Sequence, residues 1–296
     1  MRQLARSDVL SHEHAIILGT VVHTHHRTLQ TLSHCTKTCR AHSIDDGQVQ
    51  IITVDSLDDL RRAEKVLHTV WDAPGGHPPV TLDLLRAFTH LGGLVCAAVV
   101  DDSFVAASVA VPSAEPRVLY SLATGVIAPF TGRKIGLRLK QHQRDVAREH
   151  HYERIRWTFD PWIRTNAHFN LLALGARVVD YRADFFGQVH DAFSAGAPTD
   201  RVVVDWPVDP ATPAAQDDAR GAVVVETGPD GAPAVVTDSA RTWIRVPADI
   251  VALRTTDVDQ AVEWTQIGRR YLSPAASRGD VCGFTPDGWF VLRGTP

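Results

Sequence analysis

Gly132 and Gly136 bracket Arg133 and Lys134 in the segment GVIAPFTGRKIG, residues 125–136, and the run LRLKQHQR follows directly. The pattern is an apolar strand ending at Pro129, a short loop, and a long helix predicted from Arg133 to about His150. The first N–H groups of a helix lack intrahelical partners and carry partial positive charge, which makes a ready seat for phosphate. Glycine lets backbone come close to a ligand. Cations in a first helical turn run against the usual preference for acids there, and a docked anion would account for them. The plain alternative is a glycine-assisted turn with solvated cations.

A second set of chemically capable residues lies near the N-terminus, where residues 1–48 hold seven of the 15 histidines. His34, Cys35, Cys39 and His42 are zinc-competent ligand types. Their spacing is not that of a common zinc finger and no second half-site follows, so no metal is expected. Cys35, Cys39, Cys96 and Cys282 are too scattered for a disulfide framework, and Cys96 in LVCAAVV reads as a small buried hydrophobe. The chain has 296 residues, 44% of them hydrophobic, and a formal net charge of −4. That balance excludes the basic field of a general nucleic-acid binder and the profile of a disordered chain. No apolar run has the ~18–20 residues needed to span a bilayer. The apolar stretch 15–22 is flanked by histidines and followed by no cleavage site of small residues, so a cytoplasmic protein is expected.

Regular patterning begins at Val49. VQIITV reads as a strand, and Asp55 or Ser56 caps a helix in which Leu57, Leu60, Ala63, Val66, Leu67 and Val70 recur at helical spacing. DAPGGHPP is a loop, and LDLLRAFTHLGG a helix stopped by Gly92 and Gly93. GLVCAAVV and SFVAASVAV form a hairpin turning at Asp101 and Asp102. VLYSLATGVIAP, ERIRWTF, RVVDYRADFFG and RVVVDWPV are further strands, with a short helix in TNAHFNLLALGA. This order gives an α+β architecture, a mostly antiparallel twisted sheet flanked by helices. Four segments are expected: a His-rich extension over 1–48, a core over 49–206, a Pro/Ala/Asp linker over 207–220, and a smaller α+β extension over 221–296. In that extension AVVVE and APAVVT are strands, WIRVPADI leads to a helix near 258–272, and VCGFTPDGWFVLR is a hairpin turning at Asp287 and Gly288.

The segment from Val126 to Gly136 resembles the signature of the GNAT superfamily of CoA-dependent N-acyltransferases. That signature is a strand ending in V-x-P, then Q/R-x-x-G-x-G/A leading into a helix. IRWTFDPWIRTNAHFNLLALGARVVDYRADFFG with PTDR, and the tail from RVPADIVALR to DGWFVLR, resemble one branch of the superfamily over about residues 49–296. The resemblance implies that backbone N–H groups from Thr131 through Gly132, Arg133, Lys134, Ile135 and Gly136 to Leu137 hold the CoA diphosphate. It implies that the pantetheine arm lies along strand 123–127, which includes Gly125, Val126 and Ile127. Thr131 stands where the family usually has Gln or Arg, and Lys134 where it usually has Gly.

The implied reaction is direct transfer of an acyl group, acetyl or a larger one such as succinyl, from acyl-CoA to a primary amine. The acceptor is a small molecule, an amino acid being one candidate by analogy. No nucleic-acid or membrane partner is expected, and a homodimer is left open. The family often places a tyrosine acid four residues before the glycine that ends the short helix. Counting back from Gly175 gives Leu171, which has no proton to donate. Tyr181 and Tyr120 remain as candidate acids, or are ordinary strand residues. Asn170 is placed to orient a reacting group. Asp160 either accepts an amine proton or serves as a turn and helix-start residue. Asn166 either caps the helix that follows or touches the cofactor. Arg164 and Arg201 either clamp a carboxylate or sit at the surface in ion pairs, with Asp200 the natural partner of Arg201. With the usual acid missing, the rival expectation is a non-catalytic acyl-CoA sensor or scaffold.

Overall fold

The computed structural model describes residues 49–71, 80–187, 194–209, 234–238 and 240–294. It also gives the backbone of two short strands, β1 (His14–Ala15) and β2 (Val22–His23), paired antiparallel. The set His34, Cys35, Cys39 and His42, the loop 72–79 and the strand AVVVE lie outside the described residues.

The core begins with β3 (Gln50–Thr53) and α1 (Leu57–Val70). The Ser56 hydroxyl caps α1 by accepting the Asp59 N–H at 3.2 Å, and Asp58 and Asp59 complement the helix dipole. Leu60, Ala63, Val66, Leu67 and Val70 form its buried stripe. A short helix, α2 (Leu82–His90), follows and stops where Gly92 takes a φ of +82°. Next come β4 (Leu94–Val100) and β5 (Ser103–Pro112), joined at Asp101 and Asp102. Both aspartates adopt positive φ, the twist a two-residue hairpin needs.

β6 (Val118–Val126), α3 (Ile135–Glu149) and β7 (Arg154–Phe159) form a strand–helix–strand crossover. The short helix α4 (Arg164–Ala167) runs on as a wider π-type turn, His168–Ala173. The core closes with β8 (Arg177–Arg182) and β9 (Arg201–Pro207). The strands make one seven-stranded sheet in the order β3-β4-β5-β6-β7-β9-β8. Every neighbouring pair is antiparallel except β6 and β7. Helices α1 and α2 cover one face of the β4–β6 half, and α3 covers the other. Buried on both sides, β5 is filled by small residues, among them Ala106, Ala107 and Ala110.

The C-terminal part holds a four-stranded antiparallel sheet of β10 (Val235–Thr237), β11 (Arg241–Arg245), β12 (Val281–Phe284) and β13 (Trp289–Arg293). The predicted single helix near 258–272 is instead a series. It comprises α5 (Ile250–Thr256), α6 (Val258–Ile267), a π-type turn at Gly268–Leu272 and α7 (Ser273–Arg278). The break before α6 comes at Asp257, whose extended backbone ends α5 and whose carboxylate caps α6 through the Gln260 N–H at 3.0 Å. Helix α7 and β12 pack against β8, the edge strand of the large sheet, and so cover an edge that would otherwise invite pairing. Ile244, Ile250, Trp264 and Leu272 join the same hydrophobic cluster as Leu119, Ile155 and Trp157 of the core. Fully burying side chains of this size stabilises a fold by roughly 1.5–3 kcal/mol each.

Candidate active site

The parallel strands β6 and β7 pair over three positions only, Val118 with Arg154, Leu119 with Ile155 and Tyr120 with Arg156. Beyond Tyr120 the two strands separate. The β5–β6 register also slips between Ser121 and Ala123, leaving Leu122 as an extra, bulged residue. The rest of β6, from Ser121 to Val126, therefore has one unpaired edge facing the gap.

The gap opens beside the N-terminus of α3. The helix starts at Ile135, not at Arg133 as the sequence pattern predicts, because Gly132 and Lys134 both take left-handed backbone, with φ of +74° and +57°. Lys134 thus occupies a conformation that favours glycine, and the loop keeps its path without one. The first intrahelical bond is Arg138 N–H to the Lys134 carbonyl at 3.0 Å, so the N–H groups of Ile135, Gly136 and Leu137 have no partner within the helix. A Cβ added at Gly132 would meet no atom within 4 Å, so the loop borders open space there. A cavity of about 220 Å³ lies at this point, lined by Val126, Phe130, Gly132, Ile135, Leu137 and Phe169 among others.

Some members of the predicted cofactor set are committed elsewhere. The Thr131 N–H and hydroxyl both bond the Ala128 carbonyl, at 3.3 and 3.0 Å, closing a 3-10 turn over Ala128–Phe130. The Ile127 N–H donates to the Val105 carbonyl at 3.0 Å, so this N–H is not free for a pantetheine arm. Gly125 faces α1, where a Cβ would come within 2.8 Å of Trp71 and 2.9 Å of Val70. Its lack of a side chain is a packing requirement. The guanidinium of Arg133 lies over the Phe130 ring at 5.7 Å. Asn166 lies inside α4 and is fully buried, whereas the cap position belongs to Ile163.

The opposite face of the gap carries an open groove of about 650 Å³, with Tyr120, Arg156, Thr158, Asp180, Asp184 and Phe185 among its lining. Tyr120 and Arg156 are the last paired residues before the strands part. Asp205 holds Arg156 with two bonds of 2.6 and 2.8 Å, and Glu115 adds a third at 2.6 Å. These hydrogen bonds to Asp205, ahead of the charges of Asp205 and Glu115, raise the Arg156 pKa above its ordinary value, against a smaller opposing effect of burial.

The predicted catalytic side chains are locked into the fold. Asp160 is 4% exposed; it accepts the Trp162 N–H at 2.9 Å and the Arg254 guanidinium at 2.7 Å, with Arg201 at 3.8 Å. Its charge is used by the C-terminal extension and does not face a ligand. Tyr181 donates its hydroxyl to Asp200 at 2.6 Å, and Arg269 grips the same carboxylate at 2.8 and 2.9 Å. Burial, then the charge of Asp200 and its hydrogen bond, push the Tyr181 pKa up. Burial pushes Asp200 up as well, but bonds from Arg269, Tyr181 and the Asp184 N–H outweigh it and leave the carboxyl below its usual range.

Arg164 lies beneath the β12–β13 turn and donates to the Asp287 carbonyl. Burial and then the nearby charge of Arg245 lower its pKa. Arg201 is 6% exposed, bonds the Asp200 carbonyl at 2.9 Å and sits over Phe186. Arg201 is thus buried away from a substrate carboxylate in this structure.

Asn170 is fully buried. Its Oδ1 accepts the Trp157 indole N–H at 3.1 Å, and its Nδ2 has no protein partner. Thr124, which shares a strand with Val126 two positions away, leaves its Oγ1 equally unpartnered. Two orphaned buried polar atoms beside a split sheet suit a guest that brings its own amide groups.

Sequence reasoning missed Lys140. It is fully buried; its Nζ donates to Ser121 Oγ at 2.9 Å and Gln143 Oε1 at 3.0 Å and lies 4.0 Å over the Trp157 ring. Desolvation lowers its pKa to about 7, with a small opposing contribution from Cys96, whose own pKa burial pushes up to about 12. The signal was present in the spacing, since Gly136, Lys140, Gln143 and Ala147 form a helical stripe that is buried throughout. A lysine in such a stripe is ordinarily assumed to reach for solvent.

Among the described residues no group of three His, Cys, Asp or Glu side chains could hold a metal ion, and no helix is long and apolar enough to cross a membrane. No family model and no curated protein matches the chain. Among solved structures, it is similar to the IAA acetyltransferase from Bacillus cereus, at 15% identity and a TM-score of 0.41 over 54% of this chain and 99% of that one. It is also similar to an N-acetyltransferase from Staphylococcus aureus, at 14% identity and a TM-score of 0.44 over 54% and 99% of the two chains. A GNAT-family acetyltransferase from Streptococcus pneumoniae gives 10% identity and a TM-score of 0.43 over the same shares.

Proposed function

We propose that this protein is an N-acyltransferase that moves an acyl group from acyl-CoA to the primary amine of a small molecule. The observation that carries the reading is the separation of β6 from β7 after three residue pairs, beside a helix N-terminus with unused N–H groups. The N–H groups of Ile135, Gly136 and Leu137 hold the diphosphate, with Lys134 and Arg133 adding charge. The apolar cavity takes the start of the pantetheine arm, and Asn170 Nδ2 and Thr124 Oγ1 meet its amides. The acyl-CoA supplies an activated thioester, acetyl or larger, with succinyl included. The groove on the other face holds the acceptor, where Asp180 and Asp184 supply negative charge for an ammonium group and an amino acid is one candidate. Donor and acceptor thus approach the same gap from opposite faces, as direct attack without a covalent enzyme intermediate requires.

The test is isothermal calorimetry with acetyl-CoA and succinyl-CoA, followed by measurement of free thiol on mixing with pooled amines. Heat of binding and amine-dependent thiol release are the expected results. A second reading, an acyl-CoA sensor, is favoured by Leu171 at the usual acid position and by the locked state of Tyr181 and Asp160. Binding without thiol release across a broad amine panel would select the sensor, and no binding would end both readings.

A further inference from the structure

Lys140 carries an ammonium into the core, where its hydrogen-bond partners are neutral. Moving an ammonium out of water costs several kcal/mol unless a countercharge is present, and among the described residues no carboxylate pairs with it. Its neighbours are Ser121 on β6, Gln143 on its own helix, Trp157 on β7, and the Cys96 thiol on β4. Ser121 is the first β6 residue past the last β6–β7 pair, and Trp157 is its counterpart on β7. Lys140 therefore bridges the two strands at the apex of the gap. Packed side chains connect this cluster to the wall of the cavity: Phe169 lines the cavity, its neighbour Asn170 accepts from Trp157, and the Trp157 ring lies under Lys140. From Val126 to Ser121 is five residues of extended strand, roughly 16 Å, a span suited to a pantetheine arm that starts at the cavity. Ser121 Oγ accepts from Lys140, which leaves its own O–H hydrogen to donate.

We propose that Ser121, backed by Lys140, stabilises the thiolate that leaves an acyl-CoA at the apex of the β6–β7 gap. This rests on the acyltransferase reading and supplies the leaving-group partner that Leu171 cannot. In the step, the acceptor nitrogen bonds to the acyl carbon and the carbon–sulfur bond breaks, its electron pair going to sulfur. The Ser121 O–H donates to that sulfur while Ser121 Oγ accepts from the Lys140 ammonium. The proton lost by the amine goes to solvent, and an equivalent proton converts the thiolate to free CoA thiol. Ser121 is the catalytic residue here and Lys140 its positioning residue. A lysine with its pKa lowered to about 7 is still substantially charged at neutral pH, and a thiolate beside it would favour the ammonium form further.

The test compares wild type with Lys140→Met and Ser121→Ala by three readouts: amine-dependent thiol release, calorimetric binding of acetyl-CoA, and ultraviolet titration of the thiol of bound CoA. Removing one donor to a developing anion lowers kcat by ~100-fold or more, which is expected for Ser121→Ala; Lys140→Met, which acts through Ser121, should lose at least tenfold, and both should keep acetyl-CoA affinity within about threefold. The thiol of CoA bound to wild type should titrate at least one pH unit below that of free CoA, and this shift should vanish in either variant. A merely structural lysine would move neither the thiol titration nor kcat at constant affinity. Turnover within threefold of wild type, or an unchanged thiol titration, overturns the proposal. Should Lys140→Met fail to fold, Ser121→Ala decides by the same criteria. A wild type that binds no acyl-CoA, or binds it without turnover, refutes the acyltransferase reading and this proposal together. An active wild type matched by both variants refutes this proposal alone.

Discussion

Replacing Asp160 with asparagine distinguishes a structural charge from a catalytic one. The amide oxygen can still accept the Trp162 N–H, so the turn survives, while the Arg254 guanidinium loses its countercharge. Both side chains are 4% exposed and 2.7 Å apart, and the guanidinium of Arg201 also approaches Asp160, at 3.8 Å. Breaking a buried pair by removing one partner costs about 3–5 kcal/mol, because the other charge stays buried and uncompensated. That is a large part of a typical total stability of about 5–15 kcal/mol. Arg254→Met alone should cost less, because Arg201 remains 3.8 Å from Asp160 and keeps part of its countercharge. The double variant should lose less than the sum of the two by about 2 kcal/mol, since neither charge then remains. Urea unfolding followed by far-ultraviolet circular dichroism measures all three. Turnover per folded molecule should stay near wild type in Asp160→Asn. Losses below about 1 kcal/mol, strict additivity, or a hundredfold drop in turnover by a stable Asp160→Asn would each refute the reasoning.

Two further outcomes follow from the Tyr181–Asp200–Arg269 cluster. Asp200 has its carboxyl pKa depressed in the folded state, so its contribution is present above the unfolded value and is lost as pH falls through the folded one. Wild type and Asp200→Asn should accordingly differ in Tm at pH 7 and converge below about pH 4, as a scan of Tm against pH would show; a gap independent of pH would contradict it. Gly268 lies under Trp162 and the Tyr181 hydroxyl, where a Cβ would come within 2.6 and 2.7 Å. Gly268→Ala should therefore destabilise by roughly 1–3 kcal/mol through overpacking, read by urea unfolding, whereas an unchanged midpoint would mean that the site can yield.

The core was legible in the sequence wherever one element's own periodicity set its buried face. The stripe on α1, the Asp101–Asp102 hairpin and the alternation of strands and helices through β9 follow from local spacing and turn chemistry. The glycine loop before α3 was legible too, although the left-handed backbone at Lys134 moved the start of the helix to Ile135. The PTDR string stood out as a pattern but not as a role. In the fold Thr199 bonds the Gly187 carbonyl, Asp200 bonds Tyr181 and Arg269, and Arg201 sits over Phe186.

What the sequence by itself determined was each element's type and which of its faces is apolar, because hydrogen bonding and side-chain direction within an element depend on neighbours a few residues away. Tertiary structure alone decided which charged groups remain available. Asp160 meets Arg254 across 94 residues, and Asp200 meets Arg269 across 69. Lys140 and Ser121 face each other only because β6 and β7 part where they do. A carboxylate or an ammonium looks the same in a sequence whether a countercharge waits for it or not, and its chemistry is set by that distant partner and by the water it loses on burial.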